Sequence, residues 1–130
     1  MEEIFLFMNP KSVIDNVSII LANNNCKVGV KLQAIYILVN IAAIKGEMRD
    51  LIIDNDGILS SVVSNIESDN QELTLASLWL LINISWDIHE NSERKAHLLN
   101  YKIIEKVEGL YNCEIPEIRD RVKTLVKNFN

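Results

Sequence analysis

The chain has 130 residues and a formal net charge of −5 at pH 7; 48% of its residues are hydrophobic and 24% are charged. This length and composition predict one folded domain, residues 1–130, with a sizeable buried core. Affinity for a nucleic acid backbone comes from clustered Lys and Arg side chains. The acidic balance therefore argues against direct nucleic acid binding.

The sequence contains no recognisable arrangement of catalytic, metal-binding or cofactor-binding residues. Cys26 and Cys113 are far apart and form no CxxC motif, and no Cys or carboxylate cluster accompanies His89 and His97. The isolated glycines form no phosphate-binding loop. We therefore expect a non-enzymatic protein with no metal, cofactor or small-molecule substrate. Its cysteines are expected to stay reduced, in the cytoplasm or the nucleus or both.

The N-terminal stretch Ile4–Met8 is apolar, but it is only five residues long and no basic residue precedes it. It is therefore neither a signal peptide nor a membrane span, and no membrane association is expected. A large apolar patch is rarely left in water. Phe5 and Phe7 are therefore expected to be buried, either folded back on the chain or docked on a protein partner.

Apolar periodicity and cap residues predict helices along the rest of the chain. Asn9 and Pro10 start the first helix, and Gly46 is expected to close the second. In chain order we expect helices from Pro10 to Asn23, near 27–44, over 47–54, over 58–66 after a tight turn at Asp56-Gly57, over a central stretch opened by 68–70, from Asn91 or Ser92, around Ile103, and from Pro116.

The central helix contains the run 75–86, which is apolar nearly all round and is therefore expected to be buried between layers. Asn83 interrupts this run, and Trp79 lies one helical turn earlier on the same face. Leaving a buried asparagine unpaired costs about 1–3 kcal/mol. Asn83 therefore either bonds to neighbouring backbone or faces a groove and binds a ligand.

The same layout occurs earlier in the chain, because Tyr36 and Asn40 precede Trp79 and Asn83 by 43 residues. An apolar stripe beginning at Val13 also recurs at intervals of 45 residues. A fixed period near 40 residues is typical of stacked helical repeats. We divide the chain into three units, residues 10–46, 47–88 and 89–130. The second and third units each have a short, a medium and a long helix, and the first unit is incomplete.

A three-helix unit whose last helix carries an asparagine behind a run of Leu and Ile resembles the armadillo repeat. The resemblance implies an all-α, right-handed α-solenoid of about 2.5–3 armadillo-type repeats, working as a protein-binding scaffold or adaptor. Trp79 with Asn83 looks like the aromatic–asparagine pair with which peptide-binding armadillo proteins hold an extended chain on their concave face. Tyr36 with Asn40 is a degenerate version of that pair.

The third unit departs from this pattern, because Lys123 and Lys127 stand nearest the positions of the pair. They give the last helix a basic surface. Such a surface is either the solvated outer face that an end repeat needs or a site for an acidic segment. In the second case these lysines extend a row of binding residues on the concave face, which begins with Tyr36, Asn40, Trp79 and Asn83.

Three short segments carry a narrower resemblance: Asn83-Ile84-Ser85-Trp86, residues 90–95 and residues 120–125. They are similar to the C-terminal end of the armadillo subunit of the GID/CTLH ubiquitin ligase. This implies a subunit of a larger complex that works in ubiquitin-dependent degradation. Other classes remain open: a peptide-binding adaptor of the nuclear-transport (importin-alpha-like) kind, a chaperone cofactor, and a ribosome- or RNP-associated factor.

Overall fold

The structure, a computed structural model, describes residues 9–130, and in that range it is all-α with no strand. The helices are α1 (Pro10–Ala22), α2 (Val28–Ala42), α3 (Gly46–Ile53), α4 (Asp56–Ser64), α5 (Gln71–Ser85), α6 (Ser92–Leu99), α7 (Ile103–Glu108) and α8 (Pro116–Phe129). Short 3-10 turns lie at Asn65–Glu67 and Ile88–Glu90. Phe5 and Phe7 lie outside the described residues.

Asparagines set the starts of four helices. The side-chain oxygen of each one accepts a hydrogen bond from a backbone N–H in the first helical turn, which would otherwise lack a partner. The pairs are Asn9 with Lys11, Asn55 with Ile58, Asn70 with Leu73 and Asn91 with Arg94, at 3.0–3.1 Å. The helix starts predicted at Asn9-Pro10 and at Asn91-Ser92 are confirmed.

Two glycines have different roles from those predicted. Gly46 does not close α2, which ends at Ala42; it is the first residue of α3. Gly57 belongs to the first turn of α4 rather than to a separate tight turn. A Cβ atom at Gly57 would lie 2.7 Å from Oγ of Ser18, so glycine allows α1 to approach α4 closely.

The long helices α2, α5 and α8 pack side by side, with α5 in the middle. The central helix is buried between layers, as its all-round apolar pattern predicts. Its buried residues are Leu73, Thr74, Ala76, Ser77, Leu78, Leu80, Leu81, Ile84 and Ser85. We call α2, α5 and α8 the third helices of the three units. Among the described residues, no helix is long and apolar enough to cross a membrane.

Candidate protein-binding surface

Three side chains from three successive third helices form a row, which we call the third-helix row: Tyr36, Trp79 and Arg121. The rings of Tyr36 and Trp79 meet edge to face, with centroids 6.3 Å apart and planes at 68°. On the other side of Trp79, Cζ of Arg121 lies 5.5 Å from the ring centroid. Trp79 keeps 43% of its surface exposed, so the row combines an accessible aromatic face with a positive charge.

Asn83 lies beside this row and is half-buried. Its Nδ2 donates a hydrogen bond to the backbone oxygen of Val39, at 3.2 Å. This bond connects α5 to α2, because Val39 belongs to the preceding third helix. Among the described residues, Oδ1 of Asn83 accepts no hydrogen bond. One part of the amide therefore holds neighbouring backbone, and the rest is available to a ligand.

Asn128 is the structural counterpart of Asn83 in the third unit. Its Nδ2 donates to the backbone oxygen of Ile82 at 3.2 Å, and also contacts Oγ of Ser85 at 3.1 Å. Val39 and Ile82 each stand directly before the asparagine of their own helix, so the two cross-helix bonds have the same register. The sequence pattern does not single out Asn128, although its 45-residue distance from Asn83 equals the interval at which the apolar stripe beginning at Val13 recurs.

This register determines where Lys123 and Lys127 lie. The counterpart of Trp79, four residues before Asn128, is Thr124 and not a lysine. Both lysines are exposed and lie one residue before Thr124 and Asn128. The equivalent residues are Ile35 and Val39 in α2, which are buried, and Leu78 and Ile82 in α5, which are buried and half-buried. The structure therefore brings Tyr36 and Trp79 together, but it separates Lys123 and Lys127 from their row. The lysines face the side that a following unit would cover.

An ion-pair network built on the buried side chains of Arg49 and Arg94 joins the second and third units at the starts of α3 and α6. Arg94 binds Oδ1 of Asp50 at 2.7 Å and Oδ1 of Asp87 at 2.6 Å, while Arg49 binds Oδ2 of Asp87 at 3.0 Å. Arg49 also donates to the backbone oxygen of Ala42 at 2.9 Å. Because Asp87 follows α5, the network fixes the connection between that helix and the third unit.

The two arginines control the charge state of Asp87. Burial alone would raise the pKa of Asp87, but the hydrogen bond from Arg94 and the charges of Arg49 and Arg94 outweigh it and hold that pKa below the ordinary value. Burial lowers the pKa of Arg94, but hydrogen bonds to Asp87 and Asp50 outweigh this and raise it above the ordinary value. Asp87 and Arg94 are therefore both charged near neutral pH.

The sequence gives only one signal for this network. Arg49 and Arg94 are 45 residues apart, which is the interval at which the apolar stripe beginning at Val13 recurs, so they occupy equivalent positions in successive units. Nothing in the sequence shows that Asp87 lies between them. Cζ of Arg49 also lies 5.2 Å from the ring centroid of Trp86, an exposed residue at the end of α5.

Stacked three-helix units with third helices in register define an armadillo-type solenoid. A designed armadillo repeat protein, solved in complex with the peptide (KR)4, matches with a TM-score of 0.79 at 21% sequence identity, over 90% of this chain and 46% of that one. The predicted all-α solenoid fold is therefore confirmed.

Residues 11–121 match the model of the VID28/GID5 C-terminal domain. The chain belongs to this family. It is 30% identical to armadillo repeat-containing protein 8 of Xenopus laevis, over 92% of this chain and 16% of that protein. It is 29% identical to GID complex subunit 5 of Schizosaccharomyces pombe, over 75% of this chain and 19% of that protein.

The resemblance to the GID/CTLH armadillo subunit is thus confirmed at the level of the family. The chain spans only 16% and 19% of the lengths of these two relatives. The family indicates a protein-binding scaffold.

Proposed function

We propose that this chain is a non-enzymatic scaffold or adaptor subunit of a GID/CTLH-like ubiquitin ligase, in the cytoplasm or the nucleus or both. The observation that carries this proposal is the match of residues 11–121 to the VID28/GID5 C-terminal domain. Because the chain spans a small part of its relatives' lengths, the proposal covers a single task, which is to hold another protein within the complex.

The surface proposed to hold that protein is the third-helix row with its flanking asparagines. Trp79 offers an exposed aromatic wall, and an asparagine amide offers both a donor and an acceptor, which match the alternating N–H and C=O groups of an extended peptide. Half of the amide of Asn83 is already bonded to Val39, so a peptide would use its remaining oxygen and N–H. Asn40 is exposed and would provide a second such amide beside Tyr36.

The charge of the row favours an acidic ligand. The guanidinium of Arg121 lies against Trp79, and the exposed Lys123 and Lys127 add positive charge on another side of the same helix. An extended segment with acidic side chains, or one ending in a carboxylate, would be attracted to this end of the row. A basic peptide of the kind taken by importin-alpha-like adaptors would be repelled there.

Purification from native cells of the tagged chain, with mass-spectrometric identification of its partners, tests this proposal. We expect subunits of a GID/CTLH-like ligase to co-elute with the wild-type chain. Asn83→Ala should weaken the direct contact by about 1–3 kcal/mol because peptide groups lose their partner, which is about 5- to 150-fold in affinity. Glu47→Lys, an exposed change on α3, is the control and should keep every partner.

Other results would contradict the proposal. If nuclear-transport factors, chaperones or ribosomal proteins co-elute in place of ligase subunits, the result would support one of the other functional classes. If folded Trp79→Ala and Asn83→Ala proteins keep the ligase subunits while Glu47→Lys loses them, the proposed complex is correct. The binding surface then lies on the side of Glu47 and not at the third-helix row.

A further inference from the structure

The guanidinium of Arg121 is held in place by two contacts to the neighbouring third helix. Its Nη1 donates a hydrogen bond to the backbone oxygen of Leu75 at 2.7 Å, and its Cζ lies 5.5 Å from the ring centroid of Trp79. Arg121 belongs to α8, whereas Leu75 and Trp79 belong to α5, so the orientation of the guanidinium is fixed between two units. A side chain that is already fixed loses less conformational entropy when it binds a ligand.

The rest of this guanidinium has no partner among the described residues. It forms no ion pair, although Glu117 lies one helical turn before it. Arg49 and Arg94, by contrast, each bind a carboxylate. In the described part of the chain, the buried side-chain atoms without a partner are Nε of Arg49 and Oγ of Ser77. The free N–H groups of Arg121 are therefore open to solvent and able to bind a ligand.

The arginine is a feature of the third unit alone. The residue 45 positions earlier, in α5, is the buried Ala76, and the residue 43 positions before that one, in α2, is Gln33. A positive charge therefore occurs once at this position along the three third helices, and it occurs beside the exposed ring of Trp79. This arrangement suits the recognition of one charged group next to one apolar group.

We propose that Arg121 determines the specificity of the third-helix row for a segment that carries one carboxylate side chain two residues from an apolar side chain. This inference rests on the proposed function, in which the row binds an extended segment of a protein partner. Side chains two residues apart in an extended segment lie on the same side, about 6.8 Å from each other. That spacing is close to the 5.5 Å between Cζ of Arg121 and the ring centroid of Trp79.

In the proposed contact the apolar side chain packs on the exposed part of Trp79, and the carboxylate accepts hydrogen bonds from the free N–H groups of Arg121. The planar guanidinium matches the geometry of a carboxylate, and such charge-assisted hydrogen bonds are the strong ones. Lys123 and Lys127 are exposed on another side of α8. Their attraction is therefore screened by salt, and they do not select the position of the carboxylate.

Selection from a phage-displayed library of random dodecapeptides tests the proposal. The library is selected in parallel on the wild-type chain, on Arg121→Gln and on Lys123→Gln. We expect the wild type and Lys123→Gln to enrich peptides with Asp or Glu two residues from an apolar residue, and Arg121→Gln to lose the acidic preference. Lys123→Gln is the matched control, because it removes one positive charge from the same helix but not from the row.

A double-mutant cycle then isolates the contact between the carboxylate and the guanidinium. One enriched peptide and its variant with an amide in place of the carboxylate are titrated against the wild type and against Arg121→Gln. The amide should weaken binding to the wild type about 10- to 100-fold and should change binding to Arg121→Gln little. If Arg121→Gln also moves α8, the movement affects both peptides, so the cycle still reports the pair alone.

Several results would overturn this specificity. They are no enrichment on the wild type, an acidic preference that survives Arg121→Gln, and one that disappears with Lys123→Gln. Enrichment only from a second library whose peptides end in a free carboxylate would assign Arg121 to a chain terminus instead. Purification from native cells decides the proposed function separately, because recovery of ligase subunits together with a failed selection would leave the ligase role standing without this specificity.

Discussion

Trp79 shows where a residue-scale reading of the sequence reaches its limit. The run 75–86 is apolar enough to predict burial of the whole helix, and Leu81, at 1% exposure, follows that prediction. Trp79 instead keeps 43% of its surface exposed beside Tyr36 and Arg121. Periodicity cannot distinguish these two residues, because the exposure of Trp79 depends on how the neighbouring third helices stand against α5.

The difference predicts unequal costs of truncation. Leu81→Ala should lower the free energy of unfolding by about 2–5 kcal/mol because it leaves a cavity in the core. Trp79→Ala should cost only about 1–2 kcal/mol, since a half-exposed ring loses less buried apolar area. Chemical denaturation of both variants measures this. Equal losses would mean that Trp79 is a core residue and unavailable to a ligand.

The charge of Asp87 predicts a pH dependence. Its pKa is lowered in the folded chain from the ordinary value of 3.8, so its contribution to stability is fully present above pH 3.8 and is lost as the pH falls through the lower folded value. Asp87→Asn should therefore reduce the Tm at neutral pH and flatten the decrease of Tm with pH below about 4. A variant whose Tm falls in parallel with that of the wild type would show that the network does not stabilise the fold.

At the scale of elements, the sequence predicts the helices and the repeat interval, because apolar periodicity and asparagine caps are local signals. The register of α8 against α5 depends instead on contacts between residues that are far apart in the sequence. The third unit lacks an aromatic residue at the Trp79 position, so only the bonds of Arg121 to Leu75 and Asn128 to Ile82 identify equivalent positions. The sequence pattern therefore places Lys123 and Lys127 nearest the positions of the aromatic–asparagine pair, whereas Thr124 and Asn128 occupy those positions in the structure.

These two bonds predict how α8 is held. Arg121 and Asn128 bind backbone oxygens near both ends of α5, at 2.7 and 3.2 Å. Arg121→Ala combined with Asn128→Ala should loosen α8 first, which hydrogen exchange would detect as faster exchange of α8 amides with little change in α2. Thr124→Ala is the control, because its hydroxyl bonds only within α8, to Asp120. Equal exchange of α8 in the double variant and the control would contradict this role.

At the scale of the whole molecule, the third-helix row is an accessible feature that crosses the units. Tyr36 of α2 and Arg121 of α8 both contact Trp79 of α5, and Trp79 keeps 43% of its surface exposed. The fold follows from the repeat interval, but the partner does not, because the same solenoid scaffold supports many different ligands. The binding surface must therefore be tested by direct contact.

Site-specific photo-cross-linking tests the central claim that a protein partner binds the third-helix row. A photoreactive side chain is introduced by Trp79→p-benzoylphenylalanine, with Leu99→p-benzoylphenylalanine as a control of equal exposure outside the row. After irradiation in native cells, position 79 should form a cross-link to a subunit of the ligase, and position 99 should not. A cross-link to that subunit from position 99 but none from position 79 would contradict the account.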